Sequence, residues 1–140
     1  MNKILLFLLL SFGVLAQNRF EKEIVAYEKQ DSVALPAKGM KLFIGSSSFR
    51  LWKSFDADTK GMNAFNRGFG GSTMKEALYY FDRMVAKYQP SWVFLYEGDN
   101  DLAGGQSPEE IIAAFEEFSA RLTKQVPGAK LVFVSARPSL

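Results

Sequence analysis

Short apolar runs alternate with segments of helical periodicity along this chain. We predict strands at 41–45, 62–65, 92–97 and 130–135, because each run is short and bounded by turn residues. The run at 92–96 is apolar without alternation, as is typical of a strand covered on both faces of a parallel sheet. Strands that alternate with helices predict an α/β layered fold with a parallel sheet.

The first helices are predicted from the spacing of apolar residues. Phe20, Ile24 and Tyr27 form one apolar stripe, so we expect a short helix there, followed by a lead-in loop over 31–39. A second short helix is predicted within 49–55, directly after a turn of three serines.

Two longer helices carry capping signals. Thr73 and Glu76 form a T-x-x-E capping box, which predicts a helix that begins there and ends before Pro90. Ser107, followed by Pro108, predicts the start of another helix. Their expected buried stripes are Met74, Leu78, Phe81, Val85 and Tyr88 in the former, and Ile111, Phe115, Phe118 and Leu122 in the latter.

Residues 1–16 have the features of a cleaved signal peptide. Lys3 supplies a positive charge, residues 4–10 are apolar, and Val14–Ala16 precede the expected cleavage before Gln17. The apolar run is shorter than the roughly 20 residues that span a bilayer, so we expect no stable membrane span. With no cysteine for lipid attachment, the sequence predicts a secreted or periplasmic protein.

Composition narrows the classes of function. A chain of 140 residues is long enough for one domain, and its net charge of +2 gives no reason to expect a nucleic-acid partner. The absence of cysteine excludes disulfides and thiolate chemistry. The sequence also contains no histidine, which restricts any catalytic mechanism.

Polar residues cluster where the predicted strands end, and ligands bind at the carboxyl ends of parallel strands. These ends are 45–48, 66–73, 98–101 and 135–138. The first is not a G-x-S-x-G nucleophile elbow, since Phe49 replaces the last glycine, and the second is not a dinucleotide fingerprint, since it ends at Thr73. Asp99 and Asp101 are interpreted as loop hydrogen-bonding residues and not as a metal pair, and we predict no cofactor.

Three of these segments together resemble the SGNH (GDSL) hydrolases. The segments are Phe43–Trp52, which contains Gly-Ser-Ser, Asn66–Thr73, and the Gly-x-Asn-Asp segment Gly98–Asp101. The first is similar to the secreted branch that resembles platelet-activating-factor acetylhydrolase subunits. The likeness covers about residues 20–140.

This resemblance implies a three-layer, flavodoxin-like α/β fold and a serine esterase. By the same resemblance, Ser47 is the nucleophile, and the oxyanion hole consists of the N–H groups of Ser47 and Gly71 and the amide of Asn100. The neighbouring serines Ser46 and Ser48 are interpreted as turn residues.

The sequence departs from this family in having no Asp-x-x-His block. We therefore expect residues 40–140 to be a hydrolase domain truncated at its C-terminus, without the last strand and helix. A lysine base, Lys41 or Lys53, is a weaker alternative. The predicted function is hydrolysis of a small-molecule, carbohydrate or lipid acyl ester, with this chain itself inactive. The alternative is a non-catalytic module that binds a carbohydrate or acyl ligand on the same fold.

Overall fold

The structure of the protein, a computed structural model, describes residues 19–136, so the predicted signal peptide lies outside the described residues. Helices and strands alternate along this part of the chain. In order, they are α1 (Glu21–Val33), β1 (Lys41–Gly45), α2 (Ser47–Arg50), α3 (Phe55–Asp58), β2 (Ala64–Asn66), α4 (Met74–Tyr79), α5 (Phe81–Met84), a 3₁₀ turn (Ala86–Tyr88), β3 (Trp92–Tyr96), α6 (Asp99–Ala103), α7 (Pro108–Gln125) and β4 (Lys130–Val134).

The four strands form one parallel sheet in the order β2-β1-β3-β4. Strand β1 pairs with β3 along its whole length, from Lys41 opposite Trp92 to Gly45 opposite Tyr96. The predicted α/β fold with a parallel sheet is therefore confirmed. Within the described residues, β4 lies at one edge of the sheet.

The second strand begins two residues later than the sequence predicts. Met62 belongs to a turn in which its N–H donates to the Thr59 carbonyl oxygen at 2.9 Å, and Asn63 adopts a left-handed φ of 51°. Pairing with β1 starts only at Ala64. The predicted strand at 62–65 is thus corrected to Ala64–Asn66, because the tight turn occupies its first two positions.

The larger core covers one face of the sheet. Leu42, Ile44, Val93 and Leu95 point to this face and are fully buried. They pack against side chains from α1, α4, α5 and α7, including the predicted stripe residues Ile24, Met74, Phe81, Phe118 and Leu122. This burial supplies most of the hydrophobic free energy of folding.

A smaller aromatic cluster covers part of the opposite face. Phe43 lies at its centre, stacked on Phe94 with ring centroids 4.4 Å apart and edge-on to Phe55 at 5.1 Å. Phe49 and Trp52 complete the cluster, and the Trp52 Nε1–H also donates to Asp58 at 2.6 Å. Helices α2 and α3 are therefore held to the sheet by aromatic packing directly behind the end of β1.

The helix expected from Thr73 to Pro90 is interrupted at Tyr80. The Arg121 guanidinium of α7 donates to the Leu78 carbonyl oxygen at 3.1 Å, an oxygen that a continuous helix would pair with the Asp82 N–H. The Arg83 N–H bonds to the Tyr80 carbonyl oxygen at 3.1 Å. A side chain that inserts into the helical ladder is a common cause of such a kink. The predicted buried stripe is retained on both sides of it.

Helix α1 continues through Asp31 to Val33, where the sequence predicted a loop. Asp31 is buried and bonds to Arg67 at 2.5 Å and to the Tyr88 hydroxyl at 2.6 Å. Burial acts to raise the pKa of Asp31, but hydrogen bonds from Lys87, Tyr88 and Arg67 lower it overall. This ion pair ties the end of α1 to the loop after β2.

Candidate active site

The strand ends predicted to carry the site lie together along the carboxyl edge of the sheet, where the parallel strands end. Strand β1 ends at Gly45, β2 at Asn66 and β3 at Tyr96, and the parallel pairing places all three ends on the same side. The loops that follow carry Ser47, Gly71 and Asn100 respectively. The structure thus brings the three predicted site residues to the same edge.

Ser47 is the first residue of the short helix α2. Gly45 precedes it with φ of +138°, and a Cβ there would lie 2.1 Å from the Tyr96 carbonyl oxygen, so only glycine fits. The Ser46 N–H donates to that same oxygen at 3.0 Å. Ser46 is buried, Ser47 is half-buried and Ser48 is exposed. Of the three adjacent serines, Ser47 is the one that is both held by a tight turn and partly open to solvent.

The second segment packs against the first through backbone contacts. Phe69 donates its N–H to the Gly45 carbonyl oxygen at 2.8 Å. A Cβ on Gly68 would lie 2.6 Å from the backbone nitrogen of Arg50, so this glycine permits a close approach of the two loops. Gly68 therefore has a structural role, since a side chain there would separate the two loops.

Gly71 is a glycine because of its backbone angles. Its φ is +82°, a left-handed conformation that side chains rarely adopt, and a Cβ there would have no neighbour within 4 Å. Close approach of the backbone to another part of the chain therefore does not explain this glycine. The Gly71 carbonyl oxygen accepts a hydrogen bond from Arg19 at 2.8 Å, which fixes the orientation of this turn.

Asn100 joins the third segment to the second. It lies in α6, after Gly98 with φ of +119°, and its side-chain amide donates to the Ser72 carbonyl oxygen at 2.8 Å. Ser72 is the residue after Gly71, so the amide is held beside the Gly71 turn. Among the described residues, no hydrogen bond joins the Ser47 hydroxyl directly to the Asn100 amide.

The two aspartates that flank Asn100 bond within the loops. Asp101 is fully buried, and its carboxylate oxygens accept the Met74 N–H at 2.9 and 3.1 Å, which caps α4. Burial raises the pKa of Asp101, and the Met74 hydrogen bond opposes this rise. Asp99 accepts the Tyr96 hydroxyl at 2.6 Å. In the part of the chain that the structure describes, no group of three or more acidic residues could hold a metal ion.

Three polar residues near this edge were not predicted from the sequence. Glu97 is fully buried at the end of β3, and its Oε1 accepts the Ser72 hydroxyl at 2.6 Å. Arg19 bonds to Gly71 and pairs with Glu76. Glu97 could have been identified from the sequence as an acidic residue between an apolar strand and a glycine. No sequence pattern identifies Ser72 or Arg19.

An apolar pocket lies beside the helix that carries Asn100. It has a volume of about 190 Å³. Its lining includes Gly98, Leu102, Ile111, Ile112 and Phe133. A small hydrocarbon group would fit such a lining, because burial of apolar surface is favourable.

None of the helices within residues 19–136 has the length and apolar character required to cross a membrane.

Solved structures with the same fold include three bacterial proteins. A candidate platelet activating factor from Streptococcus pneumoniae superposes with a TM-score of 0.72 at 19% identity, over 94% of this chain and 60% of that one. A GDSL-like lipase from Bacteroides thetaiotaomicron gives 0.68 at 18% identity, over 79% and 56%. A candidate acylhydrolase from Bacteroides fragilis gives 0.65 at 20% identity, over 74% and 53%. This chain therefore spans only between 53% and 60% of the length of these three proteins.

The sequence itself gives the family. Among proteins with curated functions, none matches this chain significantly. Residues 44–139, however, match the GDSL-like lipase/acylhydrolase family, and this match begins one residue before the Gly-Ser-Ser turn and includes Gly71 and Asn100. Because the match covers more than half of the sequence and the solved structures share its fold, the chain belongs to the GDSL-like lipase/acylhydrolase family.

Proposed function

We propose that the complete protein is a serine esterase with Ser47 as its nucleophile. The observation that carries this proposal is a set of free donors at the sheet edge. Among the described residues, no hydrogen bond uses the backbone N–H of Ser47 or of Gly71. For Ser47 this follows from its position as the first residue of α2, where a helix offers no acceptor. Asn100 adds a side-chain amide beside the Gly71 turn.

These donors suit the chemistry of ester hydrolysis. Attack of the Ser47 hydroxyl oxygen on an ester carbonyl carbon forms a tetrahedral intermediate, and negative charge develops on the former carbonyl oxygen. Fixed N–H donors stabilise that charge, and one such donor is typically worth about 10²–10³ in kcat. Asn100 can donate a hydrogen bond but cannot ionise, so it does not repel the oxyanion as an aspartate would.

The Ser47 hydroxyl becomes an effective nucleophile only when a base removes its proton. These 140 residues contain no histidine that could act as this base. Lys41 is the first residue of β1, at the edge opposite Ser47, and its ammonium donates to the Met62 carbonyl oxygen at 2.8 Å. This placement argues against Lys41 as the base. We infer that the complete protein contributes a histidine in an Asp-x-x-His block, as the family resemblance implies.

The substrate class that we propose is an acyl ester of a small molecule, a carbohydrate or a lipid. The apolar pocket beside α6 supports an acyl group with some hydrocarbon character. The near-neutral net charge of +2 gives no preference for a strongly charged alcohol.

The test is turnover of p-nitrophenyl acetate by a version of the protein that includes the Asp-x-x-His block. Ser47→Ala should abolish turnover, whereas Ser48→Ala, the matched control on the adjacent exposed serine, should leave it near the starting value. Asn100→Ala should lower kcat by about 10²–10³ with a smaller change in KM. Turnover that survives Ser47→Ala would assign the nucleophile to another residue.

The alternative function is binding of a carbohydrate or acyl ligand without catalysis, which the absence of histidine favours. An extended protein that contains the Asp-x-x-His block and still lacks esterase activity, yet binds an acyl ligand, would support it.

We also infer that the protein is exported, from the signal-peptide pattern of residues 1–16. Secreted or periplasmic material should begin near Gln17 on N-terminal sequencing. Material from the same fraction that begins at Met1 would contradict this inference.

A further inference from the structure

We propose that Glu97 is a positioning residue that holds Ser72 and, through it, orients the amide of Asn100. The inference rests on the proposed esterase function, because the orientation of Asn100 matters only if its amide faces a reacting oxygen. Glu97 is not among the residues that the family resemblance assigns to the site.

A chain of contacts links Glu97 to Asn100. The Ser72 hydroxyl donates to Glu97 Oε1 at 2.6 Å, and the Ser72 carbonyl oxygen accepts the Asn100 amide at 2.8 Å. Ser72 and Glu97 are both fully buried, so water does not compete for these bonds. Ser72 thus connects the two residues, because its hydroxyl is bound to Glu97 and its backbone carbonyl oxygen is bound to Asn100.

The buried carboxyl group of Glu97 is only partly satisfied by hydrogen bonds. Its Oε2 is buried and makes no hydrogen bond among the described residues. The cation that acts on it, the Arg19 guanidinium, is bound to Glu76 and to the Gly71 carbonyl oxygen. A buried carboxylate without a directly paired cation is costly, so the neutral acid is favoured.

The charged groups around Glu97 favour the neutral acid on balance. Burial raises the pKa of Glu97 well above its usual value, and the hydrogen bond from Ser72 opposes this rise. Asp101 of α6 and Glu76 of α4 raise the pKa further, whereas Arg19, before α1, lowers it. Glu97 therefore keeps its proton to a higher pH than an exposed glutamate does.

The neutral acid leads to a distinction between variants. Glutamine has the shape of a protonated glutamic acid, and its amide oxygen can accept the Ser72 hydroxyl in the same way. Glu97→Gln should therefore retain the position of Asn100, whereas Glu97→Ala and Ser72→Ala should release it. Glu117→Gln, on the exposed face of α7, is the matched control.

The test uses nuclear magnetic resonance of the isotope-labelled 140-residue chain, and it needs no catalytic activity. We expect the Glu97 carboxyl resonance to titrate at a higher pH than an exposed glutamate, and the Asn100 side-chain amide resonances to shift as Glu97 titrates. In Glu97→Ala and Ser72→Ala, exchange of the Asn100 amide protons should accelerate about tenfold, and Glu97→Gln should prevent this change. Exchange protection of β3 verifies that each variant is folded.

Three results would overturn the proposal. They are a Glu97 carboxyl group that titrates in the usual range of a glutamate, Asn100 amide exchange that is unchanged in a folded Ser72→Ala variant, and a Glu97→Gln variant that behaves like Glu97→Ala. Because these measurements involve no substrate, failure of the esterase proposal leaves their outcome unchanged, and the two proposals fail separately.

Discussion

At the scale of the residue, the candidate site depends on a few glycines and polar side chains whose surroundings restrict which residue type fits at each position. Gly45 fits only as glycine, because a Cβ would lie 2.1 Å from the Tyr96 carbonyl oxygen. Asn100 is held by Ser72, and Ser72 is held in turn by Glu97. The position of the Asn100 amide is therefore determined by buried hydrogen bonds.

Glu97 should make stability depend on pH. The unfolded chain releases this proton near pH 4.5, whereas the folded protein retains it because the pKa is raised. Stability of the wild type is therefore lost as the pH rises above 4.5 toward the folded pKa, by up to about 1.4 kcal/mol per pH unit from this group. Glu97→Gln lacks this loss, so urea unfolding between pH 5 and pH 8 should show its relative stability rising with pH. Parallel pH profiles for the two proteins would contradict the buried neutral acid.

Gly68 and Gly71 should respond differently to substitution by alanine. Gly71→Ala adds a Cβ in open space at φ +82°, so we expect a cost of about 1–2 kcal/mol from the backbone conformation alone. Gly68→Ala places a Cβ 2.6 Å from the backbone nitrogen of Arg50, so the two loops must separate and the cost should be larger. Chemical denaturation of both variants gives the comparison, and an equal or smaller loss at Gly68 would show that the loops adjust freely.

At the scale of the element, the sequence predicted three of the four strands to within one residue, because their apolar runs, bounded by turn residues, are too short for buried helices. The run at 92–96 became a central strand of the sheet, and parallel pairing then determined which loops meet at one edge.

The break at Tyr80 could not be predicted, since its cause is Arg121, 43 residues away from the carbonyl it contacts. Ser47, Gly71 and Asn100 were predicted as site residues from three short segments in the right order, and their roles stay a prediction. Glu97 was missed because a single acidic residue carries no spacing signal.

The two capped helices should differ in their dependence on the capping residue. The Ser107 hydroxyl accepts the Glu110 N–H, so Ser107→Ala should destabilise the protein by about 1 kcal/mol. At α4, Thr73 and Glu76 form a capping box, in which the Glu76 carboxylate accepts the Thr73 N–H at 2.9 Å, and the Asp101 carboxylate adds a second cap by accepting the Met74 N–H at 2.9 Å. Thr73→Ala should therefore cost less than Ser107→Ala. Thermal or urea unfolding of the two variants measures this order, and the reverse order would show that Thr73 is the principal cap.

At the scale of the whole molecule, residues 19–136 contain the sheet edge and the proposed donors of Ser47, Gly71 and Asn100, but no histidine that could act as a base. The aromatic cluster around Phe43 supports the turn that carries Ser47, and the larger core supports α4 and the loop that carries Gly71. Both sets of contacts lie within residues 19–136. The oxyanion-binding geometry is thus expected to form independently of a histidine.

The last prediction follows from this separation of oxyanion stabilisation and proton transfer. With no histidine among its 140 residues, the chain should show no appreciable turnover of p-nitrophenyl acetate, even with the proposed oxyanion donors present. A serine hydroxyl is almost wholly protonated at neutral pH, and a general base typically contributes about 10²–10⁴ to the rate. Donors and binding alone leave about 10³–10⁴ over water, which a standard chromogenic assay does not readily detect. Addition of the Asp-x-x-His block should restore turnover, with Ser47→Ala in the extended protein as the background control. Turnover by the 140-residue chain that is lost on Ser47→Ala would instead identify a different base within this sequence.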